Sequence, residues 1–396
     1  MVNQIFNEQN ALYTDAYIQP GYPLRARVTG NQWAEFLVGQ GDKAQRVTFT
    51  EADFDKLLSN LFKPKLEHTK PATRWQELLE KANGCLHPMI SLQTAAQDGK
   101  PEQTFRVRCT LQRQDMGKYG LMLRCLRPVS DSLEDLGLPA TLRTLWQAKH
   151  GLVLVTGRTG AGKSTSIAAM LNQINKERSS NIVIIEDPIE FVHTPNKASF
   201  TYREVGVDVD TYANGVEQVL RYVPDVISIG EIRDAETMRA AVRAGESGHL
   251  VFCTIHAANA VGAIRKALGY LDSSGEKLAF ANNVVGVIAQ ALLPTINSAA
   301  KALAYEVMDF TARQNGVSYL AETIEKMISS NSDGSELQKF EADFYNEATR
   351  LGIGSLPFLQ SLRYLVKNNK IDVKSGMSLL TNAQAIKELK DLNTKS

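Results

Sequence analysis

One segment, residues 151–165, constrains the fold of this chain more than any other part of its sequence. It reads GLVLVTGRTGAGKST, in which a short run of β-favouring apolar residues leads into a glycine-rich turn and then into a helical stretch. The glycines allow the turn to curl so that successive backbone N–H groups point at phosphate oxygens. The segment therefore predicts a strand, a phosphate-binding loop and a helix, in that order.

The residue types in this loop indicate its ligand. Lys163 supplies a positive charge for the β- and γ-phosphates of a nucleoside triphosphate, and the Ser164 hydroxyl can ligate Mg²⁺. The sequence thus predicts a site for a nucleotide and Mg²⁺. Its predicted nucleotide-binding residues are Gly157, Arg158, Thr159, Gly160, Ala161, Gly162, Lys163, Ser164 and Thr165.

Alternating strands and helices surround this loop. Four nearly continuous apolar runs, at residues 152–155, 182–185, 226–229 and 250–254, are typical of a parallel sheet covered on both faces by helices. Short alternating segments precede them, and mixed-charge helical segments follow. The sequence predicts an α/β protein with these parts: an α+β domain at 1–128, a linker at 129–140, a nucleotide-binding domain at 141–316 and a helical region at 317–396.

Composition restricts the partners of the chain. Its 396 residues contain 44 Lys and Arg against 43 Asp and Glu, so no overall charge draws it to nucleic acid or anionic lipid. The four cysteines lack CxxC spacing, which indicates thiols in a reducing compartment and not a zinc site. The longest apolar stretch is too short to span a bilayer. We expect a cytoplasmic protein that reaches a membrane only through its partners.

Acidic residues and a histidine follow the apolar runs, where ligands gather at the carboxyl edge of a parallel sheet. Glu186 follows the second run, Glu231 the third and His256 the fourth. Hydrolysis of a nucleoside triphosphate needs a divalent ion and a group that orients water. Glu231 is predicted to orient the water. Since Gly230 replaces the aspartate that many such enzymes carry there, Ser164 and waters held by Glu186 and Glu231 are predicted to hold the metal.

Histidines and arginines complete the set of candidates. His256 is placed to sense the γ-phosphate, whereas His249 precedes the fourth run and lies a strand's length away. An arginine can stabilise the charge of the transition state, but the sequence does not separate such a residue from solvated arginines. The predicted catalytic residues are Lys163, Glu186, Glu231, His249 and His256, with Arg106, Arg124, Arg203 and Arg221 as arginine candidates.

With these motifs in order, the chain resembles the PilT-type secretion ATPases, the hexameric motors of type II secretion, type IV pili and type IV secretion. The motifs are the phosphate loop, an aspartate box at 185–193, a Walker B segment at 230–234 and a histidine box at 248–257. The resemblance covers about residues 13–310 and implies a RecA-like domain, ATP with Mg²⁺, and a homohexamer.

The flanking regions refine this resemblance. The N-terminal segments resemble the family's PAS-like domain, whose later strands place arginines near a neighbouring subunit's nucleotide; this favours Arg106 and Arg124, and the resemblance also favours Arg203 and Arg221. The QALLP segment at 290–294 and the helical C-terminal region are most similar to the DotB/TraJ branch, which serves type IVB secretion and plasmid conjugation. The implied partners are further copies of the chain and cytoplasmic or inner-membrane components of such a complex.

The resemblance implies a motor that couples ATP hydrolysis to domain motion at the cytoplasmic face of the inner membrane. One alternative is a pilus-retraction or pilus-assembly ATPase of the same fold. Another is a RecA-like nucleic-acid motor, which the near-zero charge and the lack of a basic stripe interleaved with aromatic residues disfavour. A non-enzymatic nucleotide-binding adaptor is disfavoured by Glu231 and the two histidines.

Overall fold

Contacts divide the chain into two compact units, Met1–Pro128 and Val129–Ser396, each with its own sheet. A computed structural model describes residues 13–28, 32–35, 37–38, 45–61, 75–81, 85–86, 89–94, 103–114, 117–126, 133, 135–296, 301–311, 318–330, 340, 343–346, 355–380 and 382–392. The predicted boundaries near residues 140 and 316 stay predictions.

The first unit is an antiparallel sheet with two helices. Its sheet order is β3-β2-β1-β9-β8-β6, with β7 also paired to β8, while β4 and β5 form a separate pair. The strands are β1 (Tyr13–Ile18), β2 (Arg25–Val28), β3 (Gln32–Glu35), β4 (Leu37–Val38), β5 (Gln45–Arg46), β6 (Cys85–Leu86), β7 (Met89–Thr94), β8 (Gln103–Arg113) and β9 (Tyr119–Leu126). The helices are α1 (Glu51–Leu61) and α2 (Trp75–Lys81).

Period-two burial explains why this sheet forms. Val107, Cys109 and Leu111 of β8 are buried, and the residues between them are more exposed, so one face of the strand packs on the core. Helix α1 contributes Phe54 and Leu58, which are four residues apart and therefore lie on one helical face. The two strands predicted near residues 104–112 and 119–126 pair as β8 and β9.

The second unit contains a seven-stranded sheet in the order β12-β11-β13-β14-β10-β15-β16. All neighbouring strands are parallel except β15 and β16, which pair antiparallel. The strands are β10 (Gly151–Thr156), β11 (Asn181–Glu186), β12 (Ser199–Glu204), β13 (Val226–Ile229), β14 (Leu250–Ile255), β15 (Val284–Pro294) and β16 (Lys301–Asp309). The four predicted apolar runs are therefore confirmed as adjacent parallel strands.

Helices cover this sheet. They are α3 (Arg143–Trp146), α4 (Lys163–Glu177), α5 (Tyr212–Val219), α6 (Ala235–Glu246), α7 (Ala260–Gly269), α8 (Ser274–Asn283), α9 (Tyr319–Ser330), α10 (Phe358–Lys367), α11 (Val373–Met377) and α12 (Ala383–Asp391). Every residue of β10, β13 and β14 is buried, as expected for strands with helices on both faces. Among the described helices, none has both the length and the apolar character needed to cross a membrane.

The predicted fold class is confirmed: a PAS-like α+β domain precedes a RecA-like domain, and the described elements beyond residue 316 are the helices α9 to α12. Three strands of the second sheet, β12, β15 and β16, were absent from the prediction. Strand β16 contacts the C-terminal region, because Val307 and Leu356 exchange backbone hydrogen bonds of 2.7 and 2.9 Å. Helix α10 packs there as well, since the Ser361 hydroxyl accepts from the backbone N–H of Tyr305.

Candidate functional site

The loop between β10 and α4 has the glycine geometry that the sequence predicts. Gly157, Gly160 and Gly162 have φ angles of 149°, 77° and 86°, which residues with a side chain rarely adopt. A Cβ at Gly157 would lie only 2.3 Å from the backbone oxygen of Gln290. The loop conformation therefore depends on glycine both for backbone freedom and for close approach to β15.

Gln290 holds this loop in place from β15. Its side-chain Nε2 donates a 2.7 Å hydrogen bond to the backbone oxygen of Ala161, and the residue is only 2% exposed. Sequence reasoning used the segment around Gln290 for the branch resemblance alone, because no spacing rule places residue 290 beside residue 161. The parallel pairing of β10 with β15 brings the two together.

Lys163 and Ser164 begin helix α4. Lys163 Nζ donates to the backbone oxygens of Gly157 at 3.0 Å and Arg158 at 3.4 Å. Burial lowers the pKa of Lys163, and the charges of Glu231 and Glu190 act in the opposite direction. Because the first N–H groups of a helix lack intrahelical partners, this end of α4 adds a positive potential to the lysine charge. The loop thus has the shape and the positive potential of a cradle that suits phosphate.

The strand register brings the predicted acids and His256 to the same edge of the sheet. Thr156 of β10 pairs with Ile255 of β14, and Ile185 of β11 pairs with Ile229 of β13. The residues that follow these strand ends therefore surround the phosphate loop. This is the carboxyl edge of the sheet, where the sequence predicted a ligand site.

Glu231 is the centre of a charged network at this edge. Its Oε2 accepts a 2.7 Å hydrogen bond from Arg233 Nε, and its Oε1 lies 3.0 Å from His256 Nε2. Arg233 also lies 3.6 Å from Asp187. The Glu231 side chain is 20% exposed, so water can reach it. The structure thus joins Glu231 and His256, which sequence reasoning placed at the same edge without a contact.

The position of Gly230, where many such enzymes carry an aspartate, is tight for a side chain. A Cβ at Gly230 would lie 3.1 Å from the Tyr212 hydroxyl and 3.2 Å from Cγ of Glu186. Glycine therefore allows α5 and the end of β11 to approach the end of β13. Glu186 is oriented by the backbone N–H of Glu190, which donates to its Oε2 at 2.8 Å.

Sequence reasoning also missed Tyr212. This residue opens α5, which Thr211 caps by accepting a hydrogen bond from Asn214, and it is 7% exposed. Nothing in the local sequence distinguishes Tyr212 from an ordinary core aromatic residue. Only the chain crossing from β12 to β13 places its hydroxyl against Gly230.

These side chains suit the ligands that the sequence predicts. The Ser164 hydroxyl and the Glu186 and Glu231 carboxylates are hard oxygen donors of the kind Mg²⁺ takes, commonly with waters and substrate phosphates completing its shell. In the described part of the chain, no three His, Cys, Asp or Glu residues converge on a common metal position. The glycine cradle and Lys163 suit the phosphates.

His249 does not join this group. It precedes β14, and its Nδ1 lies 3.0 Å from the backbone oxygen of Ala244. The six residues of β14 separate it from His256 by about 20 Å, because a strand rises about 3.3 Å per residue. Within one chain, His249 therefore lies at the opposite, amino edge of the sheet, as its position before the fourth apolar run predicts, and a catalytic role for His249 stays a prediction from the sequence.

Two arginine candidates lie in the second unit, and Arg203 is at the carboxyl end of β12, where it pairs with Ile185 of β11. Arg203 Nη2 donates to the backbone oxygen of Asp208 and to Gln218 Oε1, both at 2.9 Å, so its own surroundings hold it. Arg221 is exposed in a 3₁₀ turn, Leu220–Tyr222, that precedes β13 and so lies near the amino edge. The structure does not bring Arg221 to the phosphate loop of its own chain.

The other two arginines belong to the first unit. Arg124 of β9 donates from Nε to Oδ1 of the buried Asp15 at 2.6 Å. Arg106 lies in β8 opposite Ser91 and Leu126, and its side chain falls outside the described residues. A role for either arginine at the nucleotide of another copy stays a prediction.

Curated proteins with similar sequences include pilus and secretion proteins. The chain is 40% identical over 207 residues to the type IV pilus ATPase PilU of Pseudomonas aeruginosa, which covers 52% of this chain and 53% of PilU. It is 36% identical over 206 residues to the pilus ATPase PilT of the same organism, covering 51% of this chain and 59% of PilT. The chain spans about half the length of the curated relatives it matches.

Solved structures extend the similarity to the whole fold. The pilus retraction motor PilT with bound ADP matches with a TM-score of 0.77 and 27% identity, covering 98% of this chain and 99% of that one. The ATPase DotB of Legionella pneumophila shares the fold with a TM-score of 0.69 and 20% identity, covering 95% and 94%. A family model described as "Type II/IV secretion system protein" matches residues 116–337, which is more than half of the chain. The chain therefore belongs to the type II/IV secretion system protein family.

Proposed function

We propose that this chain is a Mg²⁺-dependent ATPase that hydrolyses ATP to ADP and phosphate. The observation that carries the proposal is the meeting of a glycine phosphate cradle, with Lys163 at its helix, and the Glu231–His256 pair at one sheet edge. The names of the curated relatives support it, since PilU and PilT are both described as ATPases.

Each side chain has a distinct part in this proposal. Lys163 binds the β- and γ-phosphates, while Ser164 and waters held by Glu186 and Glu231 hold Mg²⁺. Glu231 orients the attacking water, and His256, in contact with Glu231, responds to the γ-phosphate. The Mg²⁺ ion supplies charge neutralisation at the phosphates.

We further propose that the chain works as a homohexameric motor of a secretion apparatus. The family assignment supports a role in type II/IV secretion, and the resemblance of the QALLP segment and the C-terminal region to the DotB/TraJ branch favours type IVB secretion or conjugation. In such a ring, Arg106 and Arg124 would act on the nucleotide of a neighbouring copy. The partners would be components at the cytoplasmic face of the inner membrane, and nucleic acid would not be a direct ligand.

A second candidate is a pilus-retraction or pilus-assembly ATPase. The similarity to PilU and PilT favours it, because both relatives are described as pilus ATPases and their identities are 40% and 36%. Deletion of the gene distinguishes the pilus role from the secretion role, because the two roles predict the loss of different activities of the cell. Loss of pilus-dependent surface motility with intact protein or DNA transfer would support the pilus role, and the reverse result would support secretion.

The ATPase proposal is tested by the hydrolysis rate per subunit as a function of protein concentration, with native mass measured on the same samples. Glu231→Gln is the control, since it keeps the size of the side chain but removes its charge. We expect a rate that rises as hexamers form and disappears in the variant. A constant rate from a monomer would exclude the ring mechanism, and a wild-type rate equal to that of the variant would exclude the ATPase.

A further inference from the structure

Tyr212 places a hydroxyl group in the middle of the acidic edge. The residue is 7% exposed, and its ring packs within the core on the α5 and α6 side of the sheet. Its hydroxyl lies 3.1 Å from the position that a Cβ at Gly230 would take, and Cγ of Glu186 lies 3.2 Å from that same position. The hydroxyl and Glu186 therefore flank the residue that precedes Glu231.

This hydroxyl has no hydrogen-bond partner within the described part of the chain, yet it is not sealed off from solvent. Buried tyrosines usually find a partner for the O–H, so an open donor at this place calls for a ligand or a water. Burial raises the pKa of Tyr212, and the charges of Asp187, Glu186 and Glu231 raise it further. The phenol therefore keeps its proton at neutral pH and remains a donor.

We propose that the Tyr212 hydroxyl is a positioning group of this site, which donates a hydrogen bond to water held between Glu186 and Glu231. Carboxylates only accept hydrogen bonds, so Glu186 and Glu231 can orient the hydrogens of a water but not its lone pairs. A neutral O–H beside them orients the lone pairs as well. Gly230 is part of the same arrangement, because a side chain there would occupy the space that the hydroxyl and Glu186 share.

The inference rests on the proposed ATPase function, because the ordered water would include the shell of Mg²⁺ and the attacking water. It adds a residue that the four sequence motifs do not contain. It also assigns a purpose to a hydroxyl that packing does not require, since phenylalanine would fill the same core position. The hydroxyl and the ring can therefore be tested separately.

Tyr212→Phe removes the hydroxyl and keeps the ring in the core. We expect kcat for ATP hydrolysis to fall about tenfold, which corresponds to about 1.4 kcal/mol, with an unchanged melting temperature. A second measurement uses a fluorescent ATP analogue bound with and without Mg²⁺, with no turnover required. In the variant, Mg²⁺-free affinity should match that of the wild type, and the gain in affinity on adding Mg²⁺ should be several-fold smaller.

Tyr222→Phe is the matched control, because Tyr222 is exposed in the 3₁₀ turn before β13. It should leave both measurements unchanged. A wild-type kcat and a wild-type Mg²⁺ effect in Tyr212→Phe would overturn the proposal. So would an equal loss of Mg²⁺-free affinity and thermal stability, which would mean a structural role. If the wild-type chain hydrolyses ATP no faster than Glu231→Gln, the ATPase proposal fails, and the Mg²⁺-dependent binding still decides the role of Tyr212.

Discussion

The two edges of the seven-stranded sheet differ in whether charged side chains contact one another. At the amino edge, polar side chains bond to nearby backbone: Asn181 Nδ2 donates to the carbonyl oxygens of Tyr222 and Val223, and Asp225 accepts from the backbone N–H of Asn181. At the carboxyl edge, charged side chains face one another, as Glu231 does with Arg233 and His256. The polar groups of the amino edge stabilise turns, whereas the charged groups of the carboxyl edge are partly exposed and suit a ligand.

The difference separates the part of the sheet whose polar groups stabilise the fold from the part whose charged groups are proposed to act on a ligand. The amino edge satisfies its polar groups with local backbone, which stabilises the ends of the strands. The carboxyl edge leaves charged side chains partly exposed. Burial there lowers the pKa of Lys163 and raises the pKa of Tyr212, and the nearby carboxylates act to raise both. Perturbed pKa values of this kind are typical of functional sites.

The largest effect is expected from Gly157→Ala at the carboxyl edge. The new methyl group would lie 2.3 Å from the Gln290 oxygen, and the φ of 149° disfavours alanine, so the loop must move. Overpacking and backbone strain together raise the free energy of the binding-competent loop by about 4 kcal/mol. The affinity for ATP should therefore fall roughly a thousandfold. Equilibrium binding of a fluorescent ATP analogue measures it.

Gly160→Ala is the matched comparison, because Gly160 has a φ of 77° but no atom within 4 Å of the position that an added methyl group would take. Only backbone strain of about 1–2 kcal/mol remains. Equal losses of affinity in the two variants would contradict the view that close packing against β15 fixes the loop.

The next largest effect is on kcat and is expected from a comparison of one histidine at each edge. His256→Ala removes the group that contacts Glu231, and we expect kcat for ATP hydrolysis to fall about a hundredfold, within the range typical of a positioned polar group. His249→Ala removes only the local contact with Ala244 and should change kcat less than about threefold. Steady-state ATPase assays on both variants measure the contrast. A larger loss in His249→Ala would reverse the assignment of the two edges.

The residues of the carboxyl edge could be predicted from the sequence because each belongs to a short local pattern. The phosphate loop and the residues after each apolar run are read directly from the chain, and parallel pairing alone brings Glu186, Glu231 and His256 to one edge. Gln290 and Tyr212 were missed because each acts at a residue distant along the chain. Strand β16 was missed because its buried residues alternate with polar ones only weakly, and β12 is a half-buried edge strand.

A third histidine, buried in the segment between β11 and β12, gives an intermediate effect. His193 is 4% exposed, stacks on Phe200 with ring centroids 4.6 Å apart, and neither ring nitrogen has a hydrogen-bond partner among the described residues. Burial lowers its pKa from 6.5 to about 4. The unfolded chain then binds more protons than the folded chain between these values, so stability is lost as pH falls through this window.

Between pH 7 and pH 5, this one histidine should reduce the free energy of unfolding by about 2 kcal/mol. Urea denaturation at each pH measures it. His193→Phe keeps the stack on Phe200 without a titrating group, so its stability should fall less over the same range. Identical pH profiles for the two proteins would mean that His193 is not the cause.

The smallest expected change in stability comes from the amino edge, where Val223 has a strained backbone conformation and contacts no proposed ligand. Val223 has a φ of 50° and is 81% exposed, so a β-branched side chain occupies a left-handed conformation without gaining burial. Val223→Gly removes the steric cost and should stabilise the protein by about 1 kcal/mol in urea denaturation. Val207→Gly is the control: Val207 is 58% exposed and lacks a positive φ, so glycine there should destabilise by about 0.5–1 kcal/mol. If Val223→Gly destabilised the protein as much as the control, the turn held by Asn181 would need the valine side chain.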